Sequence, residues 1–271
     1  MAWIMQDICH KIFVFSEIFI NCNIIGCWKL VPLLIHAAMP IVNVTCDECP
    51  IHRKSMFKGV DESDMLDLSI KKTCYFYKKG QIIFYEGKGA LGIYCIHSGT
   101  IKVYKLGPEG KEQIIRVVMP GELLGLRSVI SGRPHSASAT ALDDSVCCFI
   151  SKRKFFQLTI KYPDLSQRIM ITLSLLLDGA ESKITSMAQK SVRERLAETL
   201  LSLENIFKSE HSTDGTIICL SREDLANLVG TATETVIRLL SEFKHDSLIE
   251  IRGRKIKLLD KKALHKIGKA F

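Results

Sequence analysis

The stretch LSREDLANLVGTATETVIRLLSEF, residues 220–243, decides how the rest of the chain is read. Ser221 followed three residues later by Asp224 has the form of a capping box, and it opens a short helix. Gly230 ends that helix in a tight turn, and Thr231 or Thr233 is expected to cap the next. In the second helix Val236, Leu239, Leu240 and Phe243 recur at spacings of three and four, which makes one apolar stripe. Two helices joined by a few residues with a glycine form a helix-turn-helix. The second helix also carries Glu234 and Arg238, four apart and therefore expected to pair. Taken alone, that is a surface ion pair of small value. The neighbouring sequence decides whether this face is presented to something.

Just downstream, LIEIRGRKIKLLD, residues 248–260, alternates about Gly253-Arg254 as a hairpin or wing does. From Arg252 to Lys269 the bases are Arg252, Arg254, Lys255, Lys257, Lys261, Lys262, Lys266 and Lys269, against one acid, Asp260. Such a basic end is a solvated face or one that phosphates attract. Upstream, SVRERLAETLLSLENIF reads as a helix, followed by a loop around His211–Gly215 and a short strand in TIICL.

The remainder is of two kinds. Between Cys74 and Ile150, short β-branched and aromatic runs are separated at close intervals by Gly80, Gly87, Gly92, Gly99, Gly110 and Gly121, read as turns. That is the pattern of an antiparallel sandwich or barrel. Around Ser151 the period changes to helical. KRKFFQLTIKYPD is a short helix stopped near Pro163, and a long helix runs from about Asp164 to near Gln189. Along it Met170, Leu173, Leu177, Ala180, Ile184 and Met187 alternate at three and four, a two-stranded seam that predicts a homodimer. Gly179 is a mild fault within it.

Bulk properties fit this division. The 271 residues suit two domains; 47% hydrophobic and 24% charged residues describe a globular chain rather than a disordered one. The net charge of +8 permits a polyanionic partner. Ten cysteines in so long a chain do not resemble a secreted disulfide framework, so reduced thiols in a cytoplasmic protein are expected. Residues 1–38 are apolar but broken by Glu17, Asn21, Asn23, Lys29 and Pro32, and fit neither a membrane span nor a secretory signal. Translation is expected to start naturally at Met39. No phosphate loop, nucleophile–base pair or paired carboxylates are found, so no catalytic residue is assigned.

A β-roll, a long dimer helix and a winged helix-turn-helix, in that order, resemble the Crp–Fnr family of bacterial transcription regulators. The resemblance covers roughly Cys46 to Lys266, and LSREDLANLVGTATETVIRLLSEF and SGTIKVYKLGPEGKEQIIRVVMPGELLG carry it. It implies that Glu234 and Arg238 enter the major groove, Arg238 toward guanine and Glu234 toward a cytosine amino group. It also implies DNA contacts from Ser221, Arg222, Thr231, Thr233 and Thr235 near the helix N-terminus and from Arg252, Arg254 and Lys255 in the wing. The DNA site would be a palindrome with a TGA-like core, and RNA polymerase a partner.

Members of the family that bind cyclic AMP use a Gly-Glu pair for the ribose and an Arg-Ser pair for the phosphate. Gly121, Glu122 and Ser136 match, but His135 stands where the arginine belongs, with Arg133 two residues away. Ala180 and Glu181 replace the pair that meets adenine. Histidine is no substitute for a bidentate, always-charged phosphate binder, so cyclic AMP is not the expected effector. A second branch of the family holds an iron–sulfur cluster on four cysteines. Cys46, Cys49 and Cys148 match three of them; Ser55 occupies the other, with His52, Cys74 or Cys147 as substitutes. The plainer reading of these cysteines, as small buried hydrophobes, ranks ahead of an iron–sulfur or zinc cofactor.

The sequence therefore specifies an α+β protein: an antiparallel, jelly-roll-like β-roll over 39–151, helices over 152–189, a winged helix-turn-helix over 190–262 and a basic tail over 263–271, after the extension 1–38. The expected function is sequence-specific DNA binding by a homodimeric transcription regulator with no membrane partner. The alternatives are a regulator that senses redox state or metal through cysteines, and a cyclic-nucleotide-binding signalling module.

Overall fold

The computed structural model of the protein describes residues 40–46, 49, 55–207 and 216–268. The extension 1–38, His52, the loop around His211–Gly215 and Lys269 lie outside the described residues.

The chain enters through α1 (Glu62–Lys71) and then builds two antiparallel sheets. Their strands are β1 (Thr73–Tyr77), β2 (Ile82–Phe84), β3 (Gly92–Ser98), β4 (Ile101–Leu106), β5 (Glu112–Val118) and β6 (Leu123–Leu124). A short helix α2 (Leu126–Ser131), which the strand pattern did not announce, precedes β7 (Ser138–Ala141) and β8 (Ser145–Ser151). One sheet runs β1-β8-β3-β6 and the other β2-β7-β4-β5. Ile96 and Cys147 of the first sheet and Ile101 and Ala139 of the second are fully buried. Side chains alternate along a strand, so the first sheet's other face carries Ile93 and Ile150. There they join Leu68, Phe155, Leu158 and Leu165 from the flanking helices in a second cluster.

Two glycines show why the close spacing was needed. Gly99 turns β3 into β4 at φ 85°, and a Cβ there would lie 2.1 Å from Ser145 Oγ. Gly92, expected as a turn, is instead the first residue of β3; a Cβ on it would meet the carbonyl oxygen of Ile150 at 2.2 Å. Its role is a close approach of strands.

Ser151 is where the period changes, and its hydroxyl caps α3 (Lys152–Lys161) by accepting from the Lys154 amide. Pro163 opens α4 (Pro163–Gln189), where its missing N–H costs nothing. Gly179 leaves that helix unbroken. Next come α5 (Val192–Phe207), β9 (Ile217–Cys219), α6 (Arg222–Val229), α7 (Thr233–His245), β10 (Ile249–Arg252) and β11 (Lys255–Leu258), a three-stranded wing sheet of order β10-β11-β9. Residues 263–268, expected as a tail, belong to a helix α8 (Lys261–Gly268). Its Leu264 is fully buried, and a Cβ on Gly268 would lie 3.4 Å from the backbone nitrogen of Glu198, so its basic residues line the outer face of an amphipathic helix.

The C-terminal part leans on the β4–β5 hairpin. Its core, built on Leu196, Leu200, Val236 and Phe243, is continuous with Ile114 and Val117 of β5. Polar ties reinforce the contact: Lys102 bridges Glu112 and Asp224, and Gln113 donates to the Asn227 carbonyl at 2.6 Å.

Candidate nucleic-acid interface

Helix α7 buries Val236, Leu239, Leu240 and Phe243, the stripe read from the sequence. The opposite face is in water: Glu234, Ile237, Arg238 and Ser241 are all exposed. The expected Glu234–Arg238 pair does not form. Arg238 bonds Glu242 Oε1 at 2.5 Å, again four residues apart but toward the C-terminus. Glu242 is held in place by Arg193 Nη1 at 2.8 Å, and that arginine also stacks over Phe243 and reaches Asp246. A fixed carboxylate downstream captures Arg238, and Glu234 has no ion-pair partner among the described residues.

The capping expectation also changes. Ala232 is the N-cap of α7 and offers no side-chain bond, so neither Thr231 nor Thr233 caps it. First-turn N–H groups therefore point outward unsatisfied by a cap, at the positive end of the helix dipole. Such an end suits a phosphate. Thr231, Thr233 and Thr235 stand half-exposed around it.

The remaining expected contacts divide. Ser221 Oγ is committed to α6, accepting from the Asp224 amide at 2.9 Å, so it is a cap. Arg222 Nη2 donates to the Gly253 carbonyl at 2.9 Å, and its buried Nη1 has no hydrogen-bond partner among the described residues, so this side chain ties α6 to the wing tip. In the wing Arg252 bonds Glu250, whereas Arg254 and Lys255 are exposed and have no ion-pair partner among the described residues.

On α4, only Leu165 and Ile169 are buried. Met170 is 61% exposed, Leu177 61% and Ile184 67%, and Ala180 and Met187 also face solvent. Leu173 differs from the other seam positions because it is partly buried against the β-roll.

Between α4 and the sheets lies a cavity of about 270 Å³ lined by Phe84, Arg116, Leu124, His135, Ser136 and Leu176, among others. Gly121, Glu122 and Arg133, expected in it, do not line it. Glu122 turns back to accept from the Met119 amide at 2.7 Å, closing its own loop, and Arg133 is exposed. His135 is 5% exposed and stacks on Phe84 at 3.9 Å. Burial pushes its pKa down to about 4. The unfolded chain titrates this histidine near 6.5, so stability from keeping it neutral is present above that pH and is lost as pH falls toward 4. The loss amounts to as much as about 3 kcal/mol. His135→Phe is expected to flatten this dependence, read from urea midpoints at pH 7 and pH 4.5.

The cysteines meet more closely than their spacing suggested. Cys148 lies between Cys74 on β1 and Cys95 on β3, its register partners on either side. Cys46, Cys49, Cys95, Cys148, Ser55 and His97 line one pocket of about 40 Å³. Cys147 projects from the opposite face of β8 and is excluded as a substitute ligand. Cys95 reaches this pocket from β3, and only strand pairing shows it as the neighbour of Cys148. No helix among the described residues is long and apolar enough to cross a membrane.

Residues 75–162 match the cyclic nucleotide-binding domain and residues 194–267 the Crp-like helix-turn-helix domain. The chain is 30% identical over 203 residues to "Transcriptional activator protein Anr" of Pseudomonas protegens, covering 74% of this chain and 82% of that one. It is 31% identical over 220 residues to "Fumarate and nitrate reduction regulatory protein" of Vibrio cholerae, 80% and 87% of the two chains. Among solved structures FixK2 from Bradyrhizobium japonicum superposes with a TM-score of 0.67 at 25% identity, covering 74% of this chain and 98% of that one.

Proposed function

The chain belongs to the Crp–Fnr family and is a DNA-binding transcription regulator, and from that premise we propose that it acts as a cytoplasmic homodimer reading a palindromic site through α7. The observation that carries this reading is the exposed Glu234–Arg238 face of a helix whose other face is buried and whose N-terminus lacks a side-chain cap. Arg238 donates two bonds to a guanine and Glu234 accepts from a cytosine amino group, giving a TGA-like core. Thr231, Thr233 and Thr235 meet the phosphates at the helix start, and Arg254 and Lys255 clamp the flanking backbone. Arg222 acts at one remove, by holding the wing tip on α6.

Two α4 helices form the dimer along Met170, Leu177, Ala180, Ile184 and Met187, placing the reader helices one helical turn of DNA apart. RNA polymerase is the partner that the family resemblance implies. The effector is not cyclic AMP: the residue at its phosphate position, His135, is buried, stacked and neutral. Regulation of transcription, with no catalysis of its own, is the whole of this reading.

Arg238→Ala tests it. The variant is expected to lose about 1–3 kcal/mol on the specific site and to lose preference at one base pair. Selection of binding sites from a random pool reads both. Unchanged base preference would leave the Arg238–Glu242 contact a surface salt bridge and nothing else.

A further inference from the structure

A cavity of about 290 Å³ lies where β5, α4, α5 and α6 meet. Arg116 lines both this cavity and the one beside His135, whereas Lys183 and Arg195 line this one and not the other. Lys183 Nζ donates to the carbonyls of Ile114 at 2.9 Å and Ile115 at 3.4 Å. Arg195 donates to the carbonyls of Lys190, Val229 and Gly230, and Arg116 to that of Leu123 at 3.2 Å. None of the three cations has an ion-pair partner among the described residues. Other buried or half-buried cations are paired: Lys102 with Glu112 and Asp224, Lys154 with Asp67. Glu198, the acid in the cavity wall, is taken by Ser186 Oγ and by Lys190. Burying a cation without a counter-charge is costly. Here it lowers the pKa of Arg116 and brings that of Lys183 down to about 8. Apolar side chains complete the wall, with Val117, Leu203 and Leu228 among them. Gly179, the fault in α4, also borders this space, and a Cβ there would meet nothing within 4 Å.

We propose that this cavity binds a small organic anion, a phosphate or carboxylate on an apolar body, with Arg116, Lys183 and Arg195 as its counter-charges. Both guanidinium groups keep N–H donors to spare, and their fork suits either acid group. The volume falls just below the roughly 300–1,000 Å³ usual for small-molecule sites, which limits the ligand to a compact one. The walls come from the β-roll, the long helix and the helix-turn-helix domain. Arg195 already holds the Val229 and Gly230 carbonyls at the turn of the helix-turn-helix. An anion shared by Arg195 and Lys183 therefore ties that turn to α4, and its binding bears on the set of α7. That last step alone rests on the regulator reading.

Calorimetric titration of the full chain, at fixed ionic strength in chloride, offers phenyl phosphate, benzoate and inorganic phosphate in turn. Wild type is expected to bind phenyl phosphate or benzoate with a dissociation constant below about 1 mM, and the one that binds identifies the acid group. Inorganic phosphate should bind at least about 10-fold more weakly, since it covers none of the apolar wall. Lys183→Met should weaken binding by about 10-fold or more, the worth of one charge-assisted hydrogen bond. His135→Phe, in the other cavity, and Lys78→Met, at an exposed lysine, should leave it unchanged. Should Lys183→Met fail to fold by circular dichroism, reductive methylation of wild type replaces it, and the anion is expected to protect Lys183. Wild type that binds neither organic anion, or binds inorganic phosphate as tightly, overturns the proposal. So does a folded Lys183→Met with undiminished affinity, a His135→Phe that loses the ligand, or Lys183 methylation that the anion does not change. Operator affinity is measured in the same samples and is expected to shift about 5-fold or more when the anion is bound. An unchanged affinity overturns the coupling to α7. A chain that binds the anion and no palindrome overturns the operator reading and leaves the anion site standing.

Discussion

A glutamate at Leu177 or Ile184 should convert the protein to a monomer and lower its affinity for a palindromic operator by at least about 10³-fold, toward its non-specific level. Helix α4 has 27 residues and so extends about 40 Å, yet it buries only Leu165 and Ile169 near its start. Beyond them Met170, Leu177 and Ile184 lie in water in the single chain, at intervals of seven. Such a stripe is stable when a second copy covers it. In a two-fold dimer each seam residue lies near its own counterpart, so one substitution sets two like charges together in a dry interface. The monomer keeps one reader helix and half the contacts. Sedimentation and fluorescence anisotropy measure the two effects. Ile160→Glu, at a residue 83% exposed and outside the seam, should change neither. A Leu177→Glu protein that still sediments as a dimer would place the interface elsewhere.

Phe243→Ala should destabilise the C-terminal domain by about 3–5 kcal/mol, the usual cost of truncating a buried phenylalanine. Phe243 has no exposed surface and sits in one cluster with Val236, Leu239 and Leu225. Its ring also carries Arg193, whose guanidinium lies 4.9 Å from the centroid and holds Glu242, the partner of Arg238. The cavity therefore loosens both the packing of α7 and the set of its exposed side chains, and operator affinity should fall with stability. Urea unfolding of wild type and variant measures the first effect. A loss under 1 kcal/mol would mean that the core closes around the gap.

Cys219 shows how local rules reach only so far. The strand at 217–219 was legible in TIICL, but its pairing with β11 and the exposure of Cys219 follow from the wing's closure. The same holds for α8: residues 263–271 read as a basic tail, whereas Leu264 fits a slot on α5 and draws a helix around itself.

What the sequence determined by itself is whatever short-range physics settles. Ser221 with Asp224, Gly230 at φ 76°, the stripe from Val236 to Phe243 and the hairpin at Gly253-Arg254 all depend on groups within a few residues, and all appear as read. Tertiary structure decided the choices among near-equal local options. Arg238 could pair four residues back or four forward, and Arg193, arriving from α5, fixed Glu242 and so the direction. Glu122 could have faced the cavity but satisfied the Met119 amide instead. Cys95 and Cys148 are more than fifty residues apart in the chain, and only the register of β3 on β8 makes them neighbours. Register is set by the whole pattern of strands, because a slip of one residue would turn every side chain to the opposite face.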